Sequence, residues 1–303
     1  MTHSLPHDGL WPRAGAWVRP ADVAPDRCDL ALLGVPAWRT SLSHTGAHAT
    51  PAAVREALFR YSTWSGTHNV DVRSLVAVDF GDVHEPDGSE GEARVRERVA
   101  AVADAATLLI AIGGDNSLTY SVALGMAGDS LATTGLVTLD AHYDLRDGES
   151  NGSPVRRLIA AGLSGQRVVQ IGISDFANSA EYAARARDYG ITVVHRDVLH
   201  RRPIEDVMQE ALAHAGAAGG AVHVDFDVDV CDRSVVPACP AAAPGGISAD
   251  ELRRAAFIAG RAPSVHSMDI AEIDATADAP DGRTVRLAAL VVLEVAAGLA
   301  SRA

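Results

Sequence analysis

The segment TGLVTLDAHYD, residues 134–144, decides how the chain is read. Leucine and valine run on without polar alternation and stop at Asp140, His142 and Asp144. A continuous apolar run marks a strand buried on both faces, as in a parallel sheet. In an open sheet of that kind, ligands bind beyond the carboxyl ends of the strands. The same grammar recurs at 28–35, 75–80, 107–112, 167–172, 191–195, 221–226 and 264–271. Helical stretches fit at 51–61, 90–106, 117–127, 154–162, 179–189, 203–214, 248–259 and 284–299. Pro51 and Pro154 stand where a first helical turn tolerates proline. Ser89-Glu90-Gly91-Glu92 and Ser248-Ala249-Asp250-Glu251 read as capping boxes. The expected fold is α/β, a three-layer αβα arrangement with a mostly parallel sheet of about eight strands. Residues 1–27 read as an irregular arm, and 28–303 as a single domain.

Composition narrows the function. The 303 residues are 48% hydrophobic and 21% charged, which excludes a disordered chain. Net charge is −13, and every basic residue other than histidine is arginine. With no basic stripe, neither nucleic acid nor an anionic membrane is an expected partner. Three cysteines, Cys28, Cys231 and Cys239, form no C-x-x-C pair. Met1 to Leu10 contains no apolar run of the kind a signal peptide needs. A cytoplasmic protein acting on a small molecule is the expectation.

Four expected strands end in polar clusters: Gly113-Gly114-Asp115-Asn116-Ser117, Asp140 to Asp144, Asp225-Phe226-Asp227-Val228-Asp229, and Glu272. In an extended segment Asp140, His142 and Asp144 point one way, and Asp225 and Asp227 do likewise. Four carboxylates and one imidazole brought together repel one another unless cations are present. Oxygen ligands with a single nitrogen suit Mn²⁺ better than structural zinc, and there are enough for two ions. A lone D-x-D is usually a solvated loop. Two such clusters at strand ends of one α/β chain are far more specific.

At these residues the chain resembles the ureohydrolases, the family of arginase, agmatinase and formimidoylglutamase. The resemblance runs from about Gly34 to Leu299. It includes Gly46-Ala47-His48-Ala49-Thr50-Pro51-Ala52-Ala53-Val54-Arg55, Gly113-Gly114-Asp115, Asp140-Ala141-His142-Tyr143-Asp144, the pair Asp225 and Asp227, Pro244-Gly245-Gly246, and Asp269-Ile270-Ala271-Glu272. It implies an arginase-like fold, two Mn²⁺ per chain, trimers or hexamers, and hydrolysis of an amidine or guanidine C–N bond. It further implies that Asp140 and Asp225 bridge the metals and that His142 and Asp227 complete one. Asp144 would ligate the other and carry protons, and Glu272 would lie near the substrate's cationic nitrogen. Asn116 departs from the pattern, because the family usually has a metal-binding histidine there. An amide oxygen is a weaker ligand, so one metal site is expected to be the looser.

The region after Asp144 bears on the substrate. Arginases and agmatinases carry a histidine where this chain has Asn151, and the Asp144-Leu145-Arg146 pattern resembles formimidoylglutamases. An arginine there suits the dianionic end of N-formimidoyl-L-glutamate and repels agmatine. Arg146, Asn151, Ser153 and Arg156 are the candidate substrate-binding residues. Two alternatives stand beside this one: a ureohydrolase acting on a guanidino acid, and a metal-poor, non-catalytic relative. His223 and His266 read as packing residues within strands, and Cys231 as a buried inert thiol.

Overall fold

The structure, a computed structural model, describes residues 8–25 and 27–302. Its strands are β1 (Arg19–Pro20), β2 (Cys28–Val35), β3 (Trp64–Ser65), β4 (Val70–Asp71), β5 (Ala77–Asp82), β6 (Ala106–Gly113), β7 (Gly135–Leu139), β8 (Val168–Ile173), β9 (Thr192–His195), β10 (Val222–Asp227) and β11 (Val265–Ala271). The α-helices are α1 (Ala14–Trp17), α2 (Thr50–Leu58), α3 (Gly88–Ala105), α4 (Leu118–Ala127), α5 (Pro154–Ala161), α6 (Ala180–Tyr189), α7 (Arg196–Leu199), α8 (Ile204–Ala215), α9 (Ala249–Arg261) and α10 (Arg283–Ala300). All eight expected strands and all eight expected helices are present.

Nine strands form one sheet in the order β1-β5-β2-β6-β11-β10-β7-β8-β9, and every pairing is parallel. Helices cover both faces. Leu30, Leu32, Ile110, Val224, Phe226 and Met268 lie in the core that α8, α9 and α10 cover. Alternate residues of the same strands, among them Ala31, Leu33 and Leu109, pack with Val95, Val99 and Val122 of α3 and α4. This double burial is why the strands read as unbroken apolar runs. No helix among the described residues is long and apolar enough to cross a membrane.

Three details differ from expectation. The arm is partly regular: β1 pairs with β5 at the sheet edge, and α1 precedes it. The hairpin of β3 and β4 and the one-turn helix α7 are additional elements. Of the two expected capping boxes only Ser248–Glu251 forms. Helix α3 begins at Gly88, so Ser89 lies within its first turn, and Asp87 in front of it turns its carboxylate to Trp38 N and Arg39 N instead.

Candidate metal centre

Strands β6, β11, β10 and β7 are the four contiguous central strands, and all four polar clusters leave their carboxyl ends. Beyond β6 the chain must pass close to its neighbour: a Cβ on Gly114 would stand 1.8 Å from Ala37 O. Glu272 N then donates to Gly114 O at 2.9 Å, tying the exits of β11 and β6 together. Asp144 and Glu272 both hold positive φ, 53° and 64°. Non-glycine residues in this region mark sites where the surroundings dictate the backbone.

The convergence of Asp140, His142 and Asp144 is not strand alternation. Strand β7 ends at Leu139, one residue before the cluster. Asp140 Oδ1 accepts from His142 N at 2.6 Å, bending the chain, and the left-handed Asp144 turns its carboxylate back. Asp225 and Asp227 do share a face of β10, but the short 3-10 turn Val228–Val230 adds a third carboxylate. Asp229 Oδ2 lies 2.7 Å from His142 Nδ1, and Asp229 Oδ1 accepts from Ala141 N at 2.9 Å. Asp229 was missing from the expected ligands, although the run Asp225-x-Asp227-x-Asp229 carried the signal. Asp227 lines the cleft, and its Oδ1 accepts from Asp229 N at 2.8 Å.

Two trios thus have ligand atoms mutually within 4.8 Å: Asp140, His142 and Asp229, and Asp140, Asp144 and Asp225. Asp140 belongs to both. The donor set fits a hard divalent cation, being oxygen-rich with one imidazole. Buried oxygens without a hydrogen-bond donor support the fit: Asp140 Oδ2 and both carboxylate oxygens of Asp225. Unsatisfied buried carboxylates are costly, and a cation is the group that satisfies them. Burial pushes the carboxyl of Asp140 up to about 6, with Asp229 adding to it. Burial likewise raises Asp144, Asp225 and Asp227 well above the carboxylate range. Burial opposes the charged form of His142, but Asp229 and Asp140 outweigh it and raise the imidazole to about 12.

Asn116 reaches the cluster through nitrogen. Its Nδ2 donates to Asp144 Oδ2 at 2.6 Å, and its Oδ1 accepts from the Thr119 hydroxyl at 2.7 Å. Its backbone N and Asn151 Nδ2 both donate to Glu272 Oε1 at 2.8 Å. Burial, then Asp115, raises the Glu272 carboxyl to about 7 against those two donors.

A cleft of about 750 Å³ opens over these groups, lined by Asp144, Asp227, Asp229, Glu272, Asn151 and Arg146 among others. Arg146 is exposed, and its guanidinium has no ion-pair or hydrogen-bond partner among the described residues. Ser153 and Arg156, expected at the substrate, do not line the cleft but build the loop beneath Arg146. Ser153 is fully buried and bonds Ser150 through its hydroxyl. Arg156 holds the carbonyls of Arg146 and Gly148. His223 is buried between Ser267 and Asp269, whereas His266 faces outward. Cys231 is buried, and its thiol is pushed up by that burial.

A wholly parallel αβα sheet carrying an acidic, cation-ready cluster at its central strand ends defines a metallohydrolase class of site. The chain belongs to the arginase family, whose model matches residues 28–298. It is 34% identical over 276 residues to the formimidoylglutamase of Halalkalibacterium halodurans, covering 88% of this chain and 86% of that one. The crystal structure of formimidoylglutamase from Bacillus subtilis superposes with a TM-score of 0.92 at 30% identity, covering 100% of this chain and 96% of the other. A Trypanosoma cruzi formiminoglutamase solved with Mn²⁺ gives a TM-score of 0.84 at 26% identity, with 91% and 94% coverage.

Proposed function

We propose that this chain hydrolyses N-formimidoyl-L-glutamate to L-glutamate and formamide, a step of histidine breakdown, at a centre holding two Mn²⁺ ions. The observation that carries the substrate assignment is Arg146. It stands two residues beyond Asp144 at the cleft, with its guanidinium unpaired among the described residues. A carboxylated substrate needs such a cation, and an ammonium-ended one is repelled by it. The named relatives in two bacteria support the same reading.

Asp140, His142, Asp144, Asp225, Asp227 and Asp229 are the residues that would hold the ions, with Asp140 shared between them. Bound Mn²⁺ supplies a Lewis acid and water acidified toward neutral pH. Asp144 would take a proton from the attacking water and pass it to the leaving glutamate nitrogen, as general base and general acid in turn. Glu272, held at Oε1 by Asn116 and Asn151, keeps Oε2 for the cationic amidine nitrogen. Asn116 offers oxygen to a cation only by turning its amide over, which gives up the bond from Thr119 and the bond to Asp144. The site served by Asn116 is therefore the weaker one. We assign the chain to the cytoplasm and to the trimers or hexamers that the family resemblance implies.

One assay tests the assignment. Mn²⁺-loaded protein should release formamide from N-formimidoyl-L-glutamate. Urea release from guanidino acids without formamide release would move the chain to the other carboxylate-reading hydrolases. Turnover of neither, with no metal bound, would make it a non-catalytic relative.

A further inference from the structure

We propose that Arg185 is a second substrate-reading cation, which receives the side-chain carboxylate of a dicarboxylate substrate, and that Asp147 occupies its guanidinium until substrate arrives. The inference rests on the functional reading above and deepens it.

Among the described residues two arginines line the cleft, Arg146 and Arg185. The floor is acidic, with Asp144, Asp227, Asp229 and Glu272 among the lining residues. A substrate with two carboxylates must keep both away from that floor, and one cation cannot hold two separated carboxylates bidentately. Arg185 comes from α6, far along the chain, yet it lies against the segment that carries Asp144 and Arg146. Its Nη1 donates to Leu145 O at 2.7 Å and to Asp147 Oδ1 at 2.8 Å. The Tyr182 ring lies 5.6 Å from the guanidinium carbon. The guanidinium is thus held by a backbone carbonyl and flanked by an aromatic ring as well as paired with Asp147.

Asp147 is a poor permanent partner. Its second contact, Oδ2 to Nη2, is 3.5 Å, the limit of a hydrogen bond. Its side chain is 80% exposed, and exposed pairs of this kind contribute little. The backbone around it is held, because Arg156 grips the carbonyls of Arg146 and Gly148. An incoming carboxylate can therefore displace the Asp147 side chain without unfolding the loop. Arg146, nearer to Asp144 in the chain, is left for the carboxylate beside the reacting nitrogen.

The test uses the full Mn²⁺-loaded chain, with formamide release from N-formimidoyl-L-glutamate and from its side-chain amide, N-formimidoyl-L-glutamine. Arg185→Gln should raise KM for the dicarboxylate at least about tenfold while kcat stays within about threefold, and should leave the amide unaffected. Inhibition by L-glutamate should weaken in parallel. Asp147→Asn should act in the opposite direction, lowering KM for the dicarboxylate alone. Equal losses of Arg185→Gln on both substrates, or an unchanged KM with an active wild type, would overturn the proposal while leaving the enzyme assignment standing. A wild type inactive on both substrates overturns the assignment, and this inference with it.

Discussion

Asp229 Oδ2 stands 2.7 Å from His142 Nδ1, joining the 3-10 turn after β10 to the bend after β7. A carboxylate at this distance accepts the Nδ1–H of the imidazole, neutral or protonated, or shares a cation with it. Asp229 also accepts from Ala141 N, so the pair sets where the backbone beside Asp140 runs. Arg196 holds the turn from behind, donating Nη2 to the carbonyls of Asp229 and Val230.

Replacing Asp229 by asparagine keeps the shape and removes the charge. Mn²⁺ affinity at the His142 side should fall by at least about tenfold, the low end for loss of a supporting carboxylate. Equilibrium dialysis with metal analysis reads this directly. Unchanged affinity and stoichiometry would remove Asp229 from the ligand set.

Asn116→His restores an imidazole where an amide now donates to Asp144. The looser Mn²⁺ should bind more tightly, because imidazole is the better donor for this ion. Titration calorimetry on wild type and variant decides it, and no change in affinity would show that residue 116 does not face that metal.

Asp144→Asn retains an oxygen donor but loses basicity. Turnover should drop at least about a hundredfold, the low end of general acid–base contributions. Retention of activity within a few-fold, at full metal occupancy, would place the proton on another residue.

Arg146→Met should cost about 2–5 kcal/mol in kcat/KM on N-formimidoyl-L-glutamate if the substrate carboxylate is left buried. An analogue lacking the carboxylate beside the reacting nitrogen should be nearly indifferent. Arg146→Lys should recover only part, since it keeps the charge and loses the fork. Equal losses on both substrates would make Arg146 a surface residue.

The buried carboxyls also give the metal-free protein an unusual pH response. Asp140 is raised to about 6 and Glu272 to about 7, from ordinary values of 3.8 and 4.5. Between about pH 4 and 7 these groups hold more protons folded than unfolded, so stability rises as pH falls through that window. His142, raised to about 12, works the same way: its contribution is full below its unfolded value of 6.5 and is lost as pH rises. Asp229, lowered by His142 in spite of its burial, opposes them. Metal-free protein should melt at a higher temperature near pH 5 than near pH 8. Added Mn²⁺ should raise the melting temperature more near pH 8, because ligands must be deprotonated to bind. A metal-free melting temperature that falls on acidification would contradict the assigned carboxyl burial.

Strand and helix positions were readable because parallel strands buried on both faces are continuous in Val, Ile and Leu. Strand β2, Cys28–Val35, matches its expected bounds residue for residue. The elements that escaped are those with no periodicity to show: β1, β3 and β4 have two residues each, and pairing alone defines them. The Ser89 capping box did not form because α3 begins at Gly88, behind an Asp87 drawn to Trp38 and Arg39, 49 and 48 residues away.

The amino-acid sequence by itself determined the layers, the clusters and their chemistry: acidic groups with one imidazole at strand ends, an asparagine where the resemblance implies that histidine is usual, and Arg146 beside them. Only the tertiary structure decided that β10 and β11 insert between β6 and β7, which makes one site of four separate strand ends. It decided that Asp229 meets His142, that Ser153 and Arg156 serve the loop, and that Arg185 of α6 reaches Leu145 across 40 residues. The physical reason is common to all of these. Residue type and periodicity are local properties, whereas strand order, the direction of a turn and the partner of a charged side chain are settled by packing between segments distant in the chain.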